Sequence, residues 1–147
     1  NVYDHFSVVY EYANGVKAFA RCRHFRGCNV DVTDHYFGTK GTCNIASART
    51  SIEGENKWRY RGPSSNMYQV EHDELFASIR SGNPINNGHY MSMSSMLAIA
   101  GRMTAYTGKT LTWEDCMNSK LDLTPPAYEW GPLQTPPVAI PGLTKFV

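Results

Sequence analysis

A chain of 147 residues, 41% of them hydrophobic, has the length and composition of one globular domain with a core of useful size. Fourteen Lys and Arg against thirteen Asp and Glu leave a formal charge of +1, which supplies no electrostatic drive toward nucleic acid or an anionic membrane. No stretch is apolar for long enough to span a bilayer.

The first residues, Asn1 to Phe6, run straight into strand-like sequence with neither an initiator Met nor a signal peptide. The expectation is a fragment or processed product of a longer protein, and the compartment stays open. Residues 6–12 are rich in β-branched and aromatic side chains that suit a pleated surface. Asn14-Gly15 follows, a pair that tolerates the positive φ angles of a type I′ hairpin turn, so residues 16–25 form the return strand. Along it Ala18, Ala20 and Cys22 point one way, a face of small residues suited to a closely packed helix. Lys17, Arg21, Arg23 and Arg26 make a short basic run that reads as a solvated strand face.

Further strands are predicted at 29–37, 42–46, 51–53 and 57–60, with Gly38-Thr39-Lys40-Gly41 a tight turn between the first two. Short connections throughout imply an antiparallel meander. After Pro63 the period changes. His72, Leu75, Phe76 and Ile79 share one helical face, in a helix that begins near residues 66–68 and stops at Ser81-Gly82. A longer helix over 90–107 carries Met93, Met96, Leu97, Ala100 and Met103 as a core stripe, and Gly108-Lys109 ends it. Thr112 caps a third, short helix whose first turn holds Glu114 and Asp115. Beyond Asp122, six prolines predict an extended tail pinned by Tyr128, Trp130 and Ile140. The fold class is therefore α+β in a single domain, 1–147: a mostly antiparallel sheet over 6–60, two to three helices over about 67–118 packed on one face, and a Pro-rich tail over 122–147.

Cys22, Cys28, Cys43 and Cys116 lack the C-x-x-C spacing of a zinc or redox site and suit small hydrophobic positions, with one or two disulfides left open. No G-x-G-x-x-G is present, and the glycine pair at Gly38 and Gly41 fails as a phosphate loop because strand, not helix, is predicted after it. Asp31 and His35 have D-x-x-x-H spacing, but Val30, Val32, Tyr36 and Phe37 around them favour a strand. They read as a solvated or interface face, and His24 with this pair makes a poor metal set. Trp58, Tyr60 and Tyr10 have rings that stack on sugars, and on strands such rings more commonly pack or join interfaces.

The order and spacing of several segments resemble the carboxy-terminal domain of the Gfo/Idh/MocA oxidoreductases, relatives of glucose–fructose oxidoreductase and inositol dehydrogenase. They are residues 10–16 (YEYANGV), 38–41 (GTKG), 66–75 (NMYQVEHDEL), 78–84 (SIRSGNP), 101–109 (GRMTAYTGK) and 112–114 (TWE). Within that family the chain resembles a bacterial branch in which pairs like Glu71-His72 and Gly101-Arg102 are common. The resemblance implies an amino-terminal Rossmann domain binding NAD or NADP, outside this chain, joined to an α+β domain whose helix-free sheet face packs against a second protomer. It implies hydride transfer to and from a sugar, inositol or related polyol. The family's lysine motif, E-K-P, and its glycine-led D-x-x-x-H helix do not occur here, so no catalytic, cofactor-binding or metal-binding residue is expected in this chain, which by itself should be inactive. The resemblance offers Tyr68 as a substrate-binding residue at a pocket mouth, where a phenol hydrogen-bonds a sugar hydroxyl; the other role for Tyr68 is packing at the sheet edge. His72 is expected as a buried structural histidine, and Glu71 with Arg102 as an interhelical ion pair. The partners expected are a second copy, as homodimer or higher oligomer through the sheet face, and the parent enzyme's polyol. Nucleic acid and membrane are not expected. A stand-alone dimeric ligand-binding module or a scaffold domain is the alternative.

Overall fold

A computed structural model describes residues 2–47 and 49–147. The elements follow the order β1 (His5–Glu11), β2 (Lys17–Arg23), β3 (Thr33–Gly38), β4 (Gly41–Ala46), β5 (Arg49–Gly54), β6 (Trp58–Arg59), α1 (Met67–Arg80), α2 (Gly88–Thr107) and α3 (Trp113–Asn118). The class is α+β with antiparallel strands throughout. The single meander expected from the sequence is instead two sheets, β1-β2 and β3-β4-β5-β6. Gly27, at φ 74°, takes the chain out of extended geometry, and residues 24–32 form no ladder.

The chain divides into two compact units, Asn1–Arg26 with Asn87–Val147, and Gly27–Asn86. In the first, β1 and β2 pair from His5↔Arg23 to Glu11↔Lys17. Their turn is not type I′, because Asn14 lacks a positive φ. Gly15 alone is left-handed, its N–H donates to the Tyr12 carbonyl, and the Tyr12 N–H donates to Val16, the pattern of a three-residue loop with a glycine bulge. Phe6, Val8 and Tyr10 share a face with Cys22, Ala20 and Ala18. Helix α2 packs on this hairpin, but over the large side chains of β1 rather than the small ones of β2. Slimness is needed on the helix instead: a Cβ on Gly101 would stand 2.3 Å from the Tyr10 hydroxyl, which donates to the Leu97 carbonyl at 3.0 Å.

The core lies where α2 meets α3. Ala100, Met103 and Cys116 are buried, with Met96, Leu111 and Phe146 packed against them, so the last part of the predicted stripe is core, while Met93 and Leu97 are half-buried outside that cluster. Gly108, in the left-handed region, ends α2. A complete capping box opens α3: the Asp115 N–H donates to Thr112 Oγ1 at 3.0 Å, and the Thr112 N–H donates to Asp115 Oδ2 at 2.9 Å. These Thr112 bonds, the backbone one foremost, hold the Asp115 carboxyl below the usual carboxylate range. A lowered folded value means that the contribution is present above the unfolded carboxylate pKa and lost as pH falls through the folded one. On acidification the Asp115 carboxyl carbon should therefore titrate below an unstructured Asp in NMR, with loss of the Thr112 N–H shift in step; a Thr112 N–H shift unmoved through that titration would break the link.

The tail is not pinned by its aromatics. The Tyr3 hydroxyl donates to the Ala139 carbonyl, the Gly142 N–H to Thr107, and both Lys120 N–H and Ser119 Oγ to the Val147 carbonyl. Residues 121–138 are thus held at each end, while Tyr128 is 86% and Trp130 106% exposed between them. The second unit holds the four-stranded sheet and α1. Asn66 caps α1 by accepting from the Tyr68 N–H at 3.0 Å. Within this unit α1 packs against no strand among the described residues, and Leu75, Phe76 and Ile79 are exposed.

Candidate functional site

The register of β3–β6 sorts their side chains onto two unlike faces. Tyr36, Cys43, Ile52 and Trp58 stand opposite one another as a row across all four strands. Ile45 flanks that row, with Asp34 and Thr50 at its level. The other face carries the row His35, Asn44, Ser51 and Arg59. Apart from Phe37, which stands on the polar side and is 84% exposed, this division is that of an antiparallel sheet with one face covered and one wet. Yet the apolar face is open: Ile52 is 38% and Trp58 50% exposed, and no described residue of this unit is fully buried.

Beyond that row comes a row of glycines, since Gly38 pairs with Gly41 and Gly41 with Gly54. At Gly38 and Gly41 the lack of side chains leaves a recess of about 380 Å³, bounded by Tyr36, Cys43, Ile52, Lys40 and Asn56. Sequence reading took Gly38 and Gly41 only as turn residues; the recess needs Tyr36, Cys43 and Ile52 beside them, which only register supplies. Gly41 opens β4, so strand and not helix follows the loop, as the sequence predicts.

Tyr68 is the second residue of α1 and is exposed, with its carbonyl accepting from or facing His72 Nδ1 at 2.7 Å. It does not pack at the edge of its unit's sheet. His72 is exposed rather than buried, because nothing in its unit covers the helix face it shares with Leu75 and Ile79. Glu71 and Arg102 fall in different units, and the Arg102 guanidinium lies 5.4 Å from the centre of the Tyr106 ring.

Asp31 precedes β3 and His35 lies on it, with Nε2 3.7 Å from Asp31 Oδ2 and Nδ1 2.7 Å from Asn44 Oδ1. A bond from the Thr33 hydroxyl, and secondly the nearby imidazole, draws the Asp31 carboxyl below its ordinary value. Both side chains are exposed, at 48% for His35 and 60% for Asp31. Trp58 and Tyr60 lie 6.3 Å apart, tilted, with Trp58 on the open apolar face. The basic run behaves as a solvated face, Lys17 pairing with Glu11 at 2.5 Å.

All four cysteines are free thiols. Burial, and then the Asp115 charge, push the Cys116 thiol up, which makes it a poor nucleophile. Burial likewise raises the Tyr10 phenol. Among the described residues no group of His, Cys, Asp and Glu can hold a metal, and no helix is long and apolar enough to cross a membrane. Compared with protein-family models, curated proteins and solved structures, the chain matches none.

Proposed function

We propose that this chain is the carboxy-terminal substrate and oligomerisation domain of an NAD(P)-dependent oxidoreductase acting on a sugar, inositol or related polyol. The observation that carries the proposal is where the family-like segments fall in the fold. Asn14-Gly15 makes the β1–β2 turn, residues 38–41 the β3–β4 turn, Asn66 the cap of α1, Gly108 the end of α2 and Thr112 the capping box of α3. Residues at such positions fix turn and cap geometry, so their order is a property of the architecture and not of one surface. The open apolar sheet face supports a role in homo-oligomer formation. Tyr68, exposed at the start of α1, offers a phenol to a polyol hydroxyl.

NAD or NADP belongs to a Rossmann domain outside this chain. Hydride transfer would be carried by that domain's lysine and by an Asp–His pair on a preceding helix, while the present residues shape part of the pocket. Calorimetric titration of the chain with NAD and with NADP should give no binding heat; dissociation constants in the micromolar range would overturn the division of labour. The gene sequence upstream of the Asn1 codon offers a second test. A Rossmann fingerprint and an E-K-P motif there support the enzyme, and a stop codon there removes it.

The recess on the sheet face favours a second reading, a stand-alone dimeric ligand-binding or scaffold module. The stop codon is the result that would select it.

A further inference from the structure

We propose that the loop 121–138 of a second copy of this chain fills the glycine-floored recess on the apolar sheet face, with Trp130 as its anchor. The proposal rests on the reading of that face as a homo-oligomer interface.

Area is the first consideration. Three strands of six residues and a fourth of two, about 4.8 Å apart and about 3.4 Å per residue, present only roughly 300–350 Å². A stable interface needs about 800 Å² per partner. The sheet face alone falls short by half, so a second surface has to contribute. The loop has what is missing. Tyr128 and Trp130 are almost wholly in water, and Leu133 is 64% exposed. Two aromatic side chains bury roughly 150–250 Å² each, close to the deficit.

The recess also suits this occupant. Its floor lacks side chains at Gly38 and Gly41, and its wall offers the Tyr36 ring, Cys43 and Ile52 to an indole face. Charge agrees: residues 121–138 contain Asp122 and Glu129 and no Lys or Arg, while Lys40 stands at the rim, exposed and only 3.7 Å from its one acid, Glu55. Glu129, next to Trp130, is placed to meet it. The loop is costly to leave bare and cheap to dock. It is tied at both ends and stiffened by Pro125, Pro126, Pro132, Pro136 and Pro137, so little chain entropy remains to be lost. An unstructured loop of this length is itself uncommon without a functional contact.

Sedimentation equilibrium on the wild-type chain, Y128A/W130A, W58E, K40E, E129K and K40E/E129K tests this, with circular dichroism confirming that each keeps its sheet. Removing both aromatics should raise the dimer dissociation constant by about 30-fold or more, the scale of an interface hot spot. K40E and E129K should each weaken the dimer, and together restore it. In a W58F/W113F background, the remaining Trp130 emission should shift to the red on dilution. A dimer unmoved by Y128A/W130A but dissociated by W58E overturns the loop's role and leaves the interface standing. Trp130 emission that is shielded at every concentration also overturns it, by showing a docking partner within the same chain. A clean monomer at high micromolar concentration removes the interface reading, and the inference with it.

Discussion

Replacing Met103 with Ala should cost about 2–5 kcal/mol of stability, the usual range for truncating a buried Met. Met103 is 8% exposed, and it is the largest of the buried hydrophobic side chains, beside Ala100, Val8 and Cys116. Its neighbours Met96, Leu111 and Phe146 come from α2, the α2–α3 connection and the returning tail. Truncation therefore opens a cavity where three segments meet and none can move in without leaving its own contacts. Domains of this size hold only about 5–15 kcal/mol in total, so the loss is a large part of the whole. Urea unfolding followed by far-UV circular dichroism measures it. Met91→Ala is the control: Met91 is on the same helix but exposed, and should shift the midpoint by no more than about 0.5 kcal/mol. Equal effects at the two positions would mean that the α2–α3 cluster is not the core.

Gly54→Ala should dismantle the four-stranded sheet while sparing the β1–β2 hairpin. Gly54 has φ 134°, a region nearly closed to residues with a side chain. An added Cβ would lie 2.3 Å from the Lys40 carbonyl oxygen and 2.6 Å from the Gly41 Cα. Both are backbone atoms of the adjoining strand and its turn, so relief requires breaking the Gly41↔Gly54 pairing rather than turning a side chain. Strain of this kind costs about 1–3 kcal/mol before the collision is counted, in a unit whose described residues include none that is buried. Amide exchange read by NMR should show protection lost over β4 and β5 and kept over β1 and β2. Protection retained over β4 and β5 would show that the strand can absorb a methyl group.

What could be read from the sequence was what is encoded locally. The period of Met93, Met96, Leu97, Ala100 and Met103, the cap at Thr112 and the turn at Gly38–Gly41 each depend on neighbours a few residues away, and each holds in the fold. What could not be read depends on distant partners. The break between β2 and β3 follows from one left-handed glycine whose effect on pairing no periodicity reveals. Leu75, Phe76 and Ile79 have the spacing of a packed face, but spacing does not supply the surface that covers them. Tyr128 and Trp130 suggested anchors by residue type; the prolines around them and the hydrogen bonds at Ala139, Gly142 and Val147 put the anchorage elsewhere. Of the site, Tyr68 came through resemblance, whereas the recess required knowing that Tyr36, Cys43 and Ile52 share a register.

The double anchorage of residues 121–138 separates two kinds of inheritance. Helix ends and core are secured by Thr107, Lys120, Phe146 and Val147, all outside the loop. Substitutions between Leu121 and Val138 can therefore accumulate without taxing the fold, and insertions lengthen a segment whose ends are already fixed. Such a segment is free to change its partner faster than the body that carries it. In relatives of this chain, divergence concentrated there would mark a surface under selection for whom it meets, beside a core selected only to persist.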